Sequence, residues 1–411
     1  MTAHNPLAEN LTRIRKARDF SQEGLAEAAS VGVDTVARIE QGTRTTSRPT
    51  TLRKLAAALG VPVDALLGTM PAPHSRDVDV APLRRVITAD ASIPGLEDLA
   101  DTRELLPLPE LTASAHGAWR AYVDGRHTEL LHALPVVLTD ARRGVRDTCD
   151  EERAGAHRVL STAYRLGAGI AGRLGFDDLA YTSAARAIEA AAESDAPEVE
   201  AVISLRYLAW TLVRQGRAED AERVATQAAA AIEPRMLDRD PVRAGVFGNL
   251  LFNAATAALR IGSASRAEDL LAAAHAAAIR SRGDTATEAA IFGPRVAALQ
   301  SVELAARAGD PEQALRLAAA VPDTAGDVPA FWEAGHRLLL AAAAADLRRD
   351  RDALAWLAEA RDLAPDWVRY QPLGRTTMRR LVDRAARRQG PTFAALATHF
   401  GMVKQEVDLD A

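Results

Sequence analysis

The chain contains 411 residues with a formal net charge of −5, and 48% of its residues are hydrophobic although only 4% are aromatic. This length excludes a single small domain, and an apolar content supplied mainly by Ala predicts helices that pack closely through small side chains. Residues 1–68 hold nine Lys and Arg against seven Asp and Glu, a net charge of +2, so the rest of the chain carries −7 and attraction to a polyanion is confined to the N-terminal region.

Two short helices are predicted between Ser21 and Gly42. The residues that face inward at helical spacing are Leu25, Ala28 and Ala29 in the first helix and Val36 and Ile39 in the second. Residues 30–32 between them allow only a tight turn, and Ser21 is placed to cap the first helix. Two helices joined so closely leave the second one protruding, which is the geometry that lets a helix enter the major groove of DNA.

The flanking sequence extends this pair to five helices. Leu11 and Ile14 predict a helix before it, Leu52 to Leu59 predict one that ends at Gly60, and residues 61–67 predict a fifth. The stretch from Leu7 to Gly68 resembles the Xre/Cro-type repressor domain. The residues that carry the resemblance are Ser21, Gln22, Leu25, Ala26, Ala29, Val31, Val36, Ile39, Glu40 and Gly42.

This resemblance implies that the partner is a double-stranded DNA operator, and it indicates which residues contact the DNA. The side chains exposed on the second helix are Val33, Asp34, Thr35, Ala37 and Arg38. Arg38 is placed to bind the N7 and O6 atoms of a guanine, although contact with a phosphate or an ion pair with Asp34 is an equal alternative. Phosphate contacts are expected from Gln22 and from the loop residues Arg44, Ser47 and Arg48. Glu40 is expected to pair with Arg13 or Arg15, and a homodimer is expected because one such domain contacts few bases.

Residues 69–95 read as a linker because they contain four prolines and little apolar periodicity. The predicted organisation is therefore a helix-turn-helix domain at 1–68, the linker, and a repeat domain at 96–411.

The repeat domain shows a spacing of seven residues between a small residue and a glycine. The pairs are Ala118 and Gly125, Ala168 and Gly175, Ala209 and Gly216, Ala255 and Gly262, and Val302 and Gly309. An Ala follows four of these glycines by five residues, a pattern that resembles tetratricopeptide repeats. The pattern predicts six hairpins, of which the last is degenerate because Arg348 replaces the glycine, followed by a capping helix pair after residue 370. The fold class is therefore all-α: a five-helix domain followed by an α-solenoid.

The inner wall of such a solenoid offers a candidate site for a ligand. The residues predicted to bind it are Arg206, Trp210, Arg214, Asn249, Phe252, Asn253 and Arg260, and Arg165 and Arg173 are expected to face the same groove. Arginines hold carboxylates, asparagines pin a peptide backbone, and aromatic rings stack on apolar groups. In the alternative, Trp210 and Phe252 fill the core between repeats, and the arginines pair with acidic residues of a neighbouring repeat.

Enzyme signatures are absent from the sequence. No lysine follows a glycine, which excludes a GK phosphate loop, and neither CxxC, HExxH nor GxSxG occurs, so catalysis, metals and cofactors are not expected. Cys149 is the only cysteine, and no apolar run approaches the roughly 18 residues of a membrane span, so we expect a cytoplasmic protein.

Two functions remain. The first is a transcriptional regulator whose repeats dimerise and sense a peptide or small metabolite, an architecture similar to that of the peptide-sensing regulators of Gram-positive bacteria and related actinomycete proteins. The second is an adaptor whose repeats bind a protein partner constitutively while the N-terminal domain addresses the complex to DNA. Mixed Arg, Asn and aromatic residues in the groove favour the first.

Overall fold

The computed structural model describes residues 6–43, 48–67, 78–89, 104–234, 240–279, 283–322, 327–386 and 388–403. Over these residues the chain forms 21 α-helices and one sheet of two short strands, which confirms the predicted all-α class. The first five helices form the N-terminal domain, called the head below. They are α1 (Pro6–Ala17), α2 (Gln22–Ala28), α3 (Val33–Glu40), α4 (Pro49–Leu59) and α5 (Val63–Leu67).

The predicted linker contains a helix, α6 (Ala81–Thr88). Leu83, Val86 and Ile87 of this helix are buried against the repeat domain, and the Arg142 guanidinium donates to the carbonyl of Val86 over 3.2 Å. The middle of this segment is therefore a docked helix, because Leu83, Val86 and Ile87 share one helical face that the flanking prolines obscured in the sequence. Residues 69–77 and 90–95 lie outside the described residues.

Six helical hairpins follow, as the spacing of small residues and glycines predicts. Their helices are α7 (Leu108–Val123), α8 (His127–Asp147), α9 (Asp150–Arg173), α10 (Asp177–Ala192), α11 (Pro197–Arg214), α12 (Ala218–Ile232), α13 (Pro241–Arg260), α14 (Ala264–Ala278), α15 (Pro294–Arg307), α16 (Pro311–Ala319), α17 (Ala330–Asp346) and α18 (Asp350–Leu363). Pairs such as Ala209 and Ala221 are fully buried where the two helices of a hairpin meet. Small side chains at these positions let the two backbones approach closely.

Each hairpin turns at a residue in the left-handed backbone conformation. Gly216, for example, has a φ of 76°, and the amide of Arg217 donates to the carbonyl of Leu212 over 2.9 Å. The sixth hairpin, whose sequence is degenerate at this position, keeps the same turn, since Arg348 adopts a φ of 60° and the amide of Arg349 donates to the carbonyl of Ala344 over the same distance. A non-glycine residue can take this conformation at an energetic cost, so the turn survives the loss of its glycine.

A short antiparallel hairpin of strands separates α14 from α15. It pairs β1 (Thr285–Ala286) with β2 (Ile291–Phe292). The ring of Phe292 lies directly over Gly248 of α13, where a Cβ atom would fall 1.9 Å from the ring. The insertion therefore packs on the inner helix of the fourth hairpin and anchors one side of the cavity described below.

The last hairpin contacts the first. Helix α19 (Pro365–Arg369) follows α18, and its Asp366 carboxylate accepts a hydrogen bond of 2.9 Å from the amide of Thr128 in the first hairpin. The rings of Tyr122 in α7 and Phe331 in α17 lie 5.7 Å apart. The inner helices of the hairpins thus enclose a cavity between them.

Helices α20 (Pro372–Arg384) and α21 (Pro391–His399) form the predicted capping pair and also pack against α1 of the head. Arg13 donates to the carbonyl of Met402 over 3.1 Å, and Lys16 donates to that of Asp383 over 3.0 Å. The head is therefore docked on the C-terminal cap of its own chain.

Candidate nucleic-acid interface and enclosed pocket

The local sequence explains how helix α3 is presented. Ser21 caps α2 by accepting a hydrogen bond of 2.9 Å from the amide of Gly24, and Gly32 begins α3 without a side-chain cap. Val36 and Ile39 are fully buried against the rest of the head. The opposite face is open, and Val33 at its start is 41% exposed.

Two charged side chains stand one helical turn apart on the open face of α3. Asp34 and Arg38 are both exposed, and neither forms a hydrogen bond or an ion pair through its side chain with any described residue. The ion pair between them, offered as one alternative from the sequence, is therefore absent. The Arg38 guanidinium is left with its donors available to a partner outside the chain. Thr35 and Ala37 lie at the edge of the same face and are partly buried.

Glu40 at the end of α3 is held by two residues. Arg15 donates to both oxygens of its carboxylate, over 2.6 and 2.8 Å, and the Gln22 amide donates to one of them over 2.7 Å. Glu40 thus pairs with Arg15, one of its two predicted partners, while Arg13 binds the C-terminal cap instead. Because the Glu40 and Arg15 side chains are largely buried, this pair fixes α3 against α1, and it also orients Gln22 at the start of α2.

The described residues include only part of the predicted phosphate-contacting loop. Arg48 is exposed and stands at the N-cap of α4. Arg44 and Ser47 lie outside the described residues.

A cavity of about 340 Å³ lies within the ring of hairpins. All seven residues predicted from the groove pattern line it: Arg206, Trp210, Arg214, Asn249, Phe252, Asn253 and Arg260. Arg173 also lines the cavity, whereas Arg165 is buried elsewhere in an ion pair of 2.5 Å with Glu200. The sequence pattern therefore located the wall of the cavity, and ligand binding by these residues stays a prediction.

The two asparagines are engaged within the protein. Asn249 accepts a hydrogen bond of 3.2 Å from Arg206 and donates one of 2.8 Å to the carbonyl of Ile291 in β2. Asn253 donates to the carbonyl of Arg206 over 3.1 Å. Asn249 thus ties the strand insertion to the inner helices, which leaves it little capacity to pin a peptide backbone.

The two aromatic candidates differ in their surroundings. Phe252 is only 5% exposed and its ring lies 5.8 Å from that of Phe292, so it mainly fills the core, as the alternative interpretation held. Trp210 is half-buried and lies 5.1 Å from the guanidinium of Arg214 and 5.7 Å from that of Arg173. Trp210 is therefore the one with a face directed to the cations of the cavity.

The arginines of the cavity also differ. Arg214 forms an ion pair of 2.7 Å with Asp177 of the preceding hairpin, as the alternative interpretation predicts. Arg206 and Arg260 have no ion-pair partner among the described residues. Arg260 lies at the rim and donates to the carbonyl of Val213 over 2.7 Å, and partial burial followed by the neighbouring guanidiniums of Arg307 and Arg214 lowers its pKa.

Several aromatic residues of the cavity were not predicted. The guanidinium of Arg173 lies within 4.5 to 5.7 Å of four rings, those of Tyr122, Trp210, Phe331 and Trp367. His336 also lines the cavity, and burial followed by the nearby Arg337 lowers its pKa to about 4, so it is neutral at pH 7. Trp210 belongs to the middle of the array and was predicted, whereas Tyr122, Phe331, Trp367 and His336 come from its two ends, and no short-range pattern in the sequence brings these four together.

Comparison with known proteins identifies the N-terminal region. A family profile described as Helix-turn-helix matches residues 11–66. The HTH-type transcriptional regulator RghRB of Bacillus subtilis (strain 168), itself described as uncharacterized, is 36% identical over 63 residues. The matched segment spans 15% of this chain and 45% of that relative. Residues 11–66 are thus a helix-turn-helix domain, as predicted from the Xre/Cro-type pattern.

Solved structures resemble larger parts of the chain at low sequence identity. BtubC (BKLC) from P. vanneervenii is 17% identical with a TM-score of 0.36, and the match covers 63% of this chain and 92% of that one. PlcR from Bacillus thuringiensis, in complex with the peptide PapR7 and DNA, is 12% identical with a TM-score of 0.31, over 88% of this chain and 96% of that one. Scores below 0.5 do not establish a shared arrangement of the helices.

The described part of the chain holds neither a metal-binding cluster nor a membrane-spanning helix. No three His, Cys, Asp or Glu side chains there are grouped so that they could hold a metal ion. No helix there combines the length and the apolar character needed to cross a membrane.

Proposed function

We propose that this helix-turn-helix protein is a sequence-specific DNA-binding transcriptional regulator that inserts α3 into the major groove of its operator. The observation that carries the proposal is the open face of α3, where Arg38 is exposed and has no partner within the described residues while Val36 and Ile39 hold the helix from behind. An arginine presented in this way can bind a guanine through two hydrogen bonds. Arg48 at the start of α4 contributes a phosphate contact on the same proposal, as do Gln22, Arg44 and Ser47.

The regulator acts as a homodimer on this proposal. One recognition helix contacts too few base pairs for specificity, so two heads bind half-sites separated by about one helical turn of DNA. The docking of α1 on the C-terminal cap supports this arrangement, because it ties each head to the repeat domain that would hold the two copies together.

The repeat domain senses an effector on this proposal. A cavity of this size lined by arginines and aromatic rings suits a small ligand. The contacts between Asp366 and Thr128 bring the first and last hairpins together and so favour the sensing function over the adaptor function. Ligand binding would shift the relative positions of the two heads and thereby change operator affinity.

The test of DNA recognition begins with selection of preferred duplexes from a random library by the full chain. Arg38→Ala is then compared with the wild type by gel-shift titration on the selected duplex. We expect a loss of affinity of about 5- to 100-fold and relaxed preference at one base pair, because the change removes a base contact worth about 1–3 kcal/mol.

The matched control is Arg223→Ala, which removes an exposed arginine from helix α12 of the repeat domain. This variant should bind the selected duplex like the wild type. Equal affinity of Arg38→Ala and the wild type would refute the assignment of Arg38, and a chain that prefers no duplex over random competitor would refute the proposed function.

A further inference from the structure

Four arginines occupy equivalent positions, each two residues before the turn glycine of its hairpin. They are Arg173, Arg214, Arg260 and Arg307, called the arginine ladder below. Each ends the first helix of its hairpin, and all four line the cavity. A cation at the end of a helix is stabilised by the helix dipole, but that effect does not require four cations to converge on one cavity.

The positive charge of the cavity exceeds the negative charge available to balance it. Arg214 pairs with Asp177, and Arg307 pairs with Glu303 over 2.7 Å. Arg173, Arg206 and Arg260 form no ion pair with any carboxylate of the described residues. Arginine does not lose its proton in proteins, so these three charges persist at every physiological pH and attract an anion.

One of these cations also has an unused donor. The Nε atom of Arg206 is buried and has no hydrogen-bond partner among the described residues. Its guanidinium is held in place by Asn249 and by the face of Tyr207, 4.5 Å away. This Nε atom is itself inaccessible, so Arg206 attracts an anion through its unbalanced charge.

An apolar wall faces these cations. Trp210 and Trp332 are half-buried and line the cavity, and Phe331 and Trp367 complete its wall although each is at most 5% exposed. The cavity volume of about 340 Å³ lies near the lower end of the roughly 300–1,000 Å³ typical of small-molecule sites. Such a space accommodates a compact planar molecule better than a peptide of several residues.

We infer that the cavity binds a small organic anion, with its carboxylate, sulfonate or phosphate group on Arg206 and the arginine ladder and its planar apolar body against Trp210 and the neighbouring rings. This inference rests on the effector-sensing part of the proposed function and specifies the chemical class of the effector. The anionic group supplies the missing countercharge, and the rings bury the apolar body.

The experiment uses two fluorescent probes of nearly the same shape with the full chain. Anilinonaphthalene sulfonate carries an anionic group on a planar aromatic body, and phenylnaphthylamine is its neutral counterpart. We expect the anion to bind at least about 10-fold more tightly than the neutral probe, since charge-assisted hydrogen bonds to the guanidiniums of the cavity provide the difference.

Two variants assign this binding to the cavity. Arg206→Gln and Arg260→Gln each remove one unpaired cation, and each should weaken binding of the anion about 10-fold while leaving the neutral probe nearly unchanged. Arg266→Gln is the matched control, because it removes an arginine from the outer helix α14 only six residues away. Unchanged helical circular dichroism and melting temperature establish that each variant is folded.

The inference is overturned if both probes bind equally, if neither binds, or if both arginine variants bind the anion like the wild type. No DNA enters this experiment. A negative result would therefore leave the operator-binding proposal intact, and failure of operator binding would leave the anion site intact.

Discussion

Three carboxylates in the head have different surroundings and therefore different roles. Glu40 is paired with Arg15 inside the domain. Asp34, on the exposed face of the same helix, has no hydrogen-bond or ion-pair partner within the described residues. Asp19 serves a third role. It is buried, and its carboxylate accepts hydrogen bonds from the amides of Gln389 and Gly390 at the start of α21. A side chain of the head thus binds the backbone just before a helix of the C-terminal cap, where the helix dipole favours an anion.

Asp19→Asn should loosen the docking of the head on the C-terminal cap. Asn tolerates the left-handed backbone of this residue, whose φ is 60°, but it removes the negative charge that binds the two amides. We expect amide hydrogen exchange at the start of α21 to accelerate about 10-fold, because a charge-assisted hydrogen bond worth about 1.5 kcal/mol or more is weakened.

Asp34→Asn is the control for this change, since it removes an exposed carboxylate of the head that forms no hydrogen bond or ion pair with another described residue. Exchange at α21 should not respond to it. If Asp19→Asn leaves exchange at α21 unaltered, the carboxylate does not hold the head on the cap.

At the scale of elements, the hairpins show what local sequence determines. Their boundaries follow from features that lie close together in the chain, such as Pro197 at the start of α11, the left-handed Gly216 at the end, and the buried Ala209 and Ala221 between them. These features were readable from the sequence, and so were the helix pair of the head and its cap at Ser21. Arg348 was not, because whether a non-glycine residue accepts a positive φ depends on the packing of the helices on both sides.

Arg348→Gly should stabilise the sixth hairpin. The left-handed conformation costs a non-glycine residue roughly 1–2 kcal/mol, and part of this gain is offset by the greater entropy of glycine in the unfolded chain, so we expect a net increase of about 0.5–1 kcal/mol in the free energy of unfolding. The midpoint of urea denaturation, with exchange at α17 and α18 as a local measure, checks this expectation.

Gly216→Ala provides the reciprocal comparison. No atom lies within 4 Å of the position that its Cβ would take, so the change introduces backbone strain without a clash. It should destabilise the protein by about 1 kcal/mol. An unchanged or lowered midpoint for Arg348→Gly would show that the sixth turn carries no strain.

At the scale of the whole molecule, the closure and docking contacts that sequence reasoning missed join distant parts of the chain. Asp366 accepts a hydrogen bond from Thr128, and Arg173 contacts aromatic rings from both ends of the array. Helix α1 packs on α20 and α21. Periodicity and spacing report on neighbours within a hairpin and contain no information about how six hairpins close on themselves. The composition of the cavity was therefore predicted for its middle hairpins, at Arg206, Trp210 and Arg260, and missed at Phe331 and Trp367.

Closure and docking together suggest how the parts cooperate. The head is tied to the cap through Arg13, Lys16 and Asp19, and the cap follows directly on the helices that complete the cavity. A ligand that draws the first and last hairpins together would move the cap and the head with it. On the proposed function, the repeat array sets the distance between two recognition helices.

Hydroxyl-radical footprinting of the full chain on a duplex selected from a random library tests this account most directly. We expect two protected patches on one face of the DNA, with centres about 10 base pairs apart, because each α3 of a dimer enters one of two successive major grooves. The same pattern should be absent for Arg38→Ala at equal protein concentration. Protection of a single patch, or no protection on any selected duplex, would contradict binding of a dimer through two α3 helices.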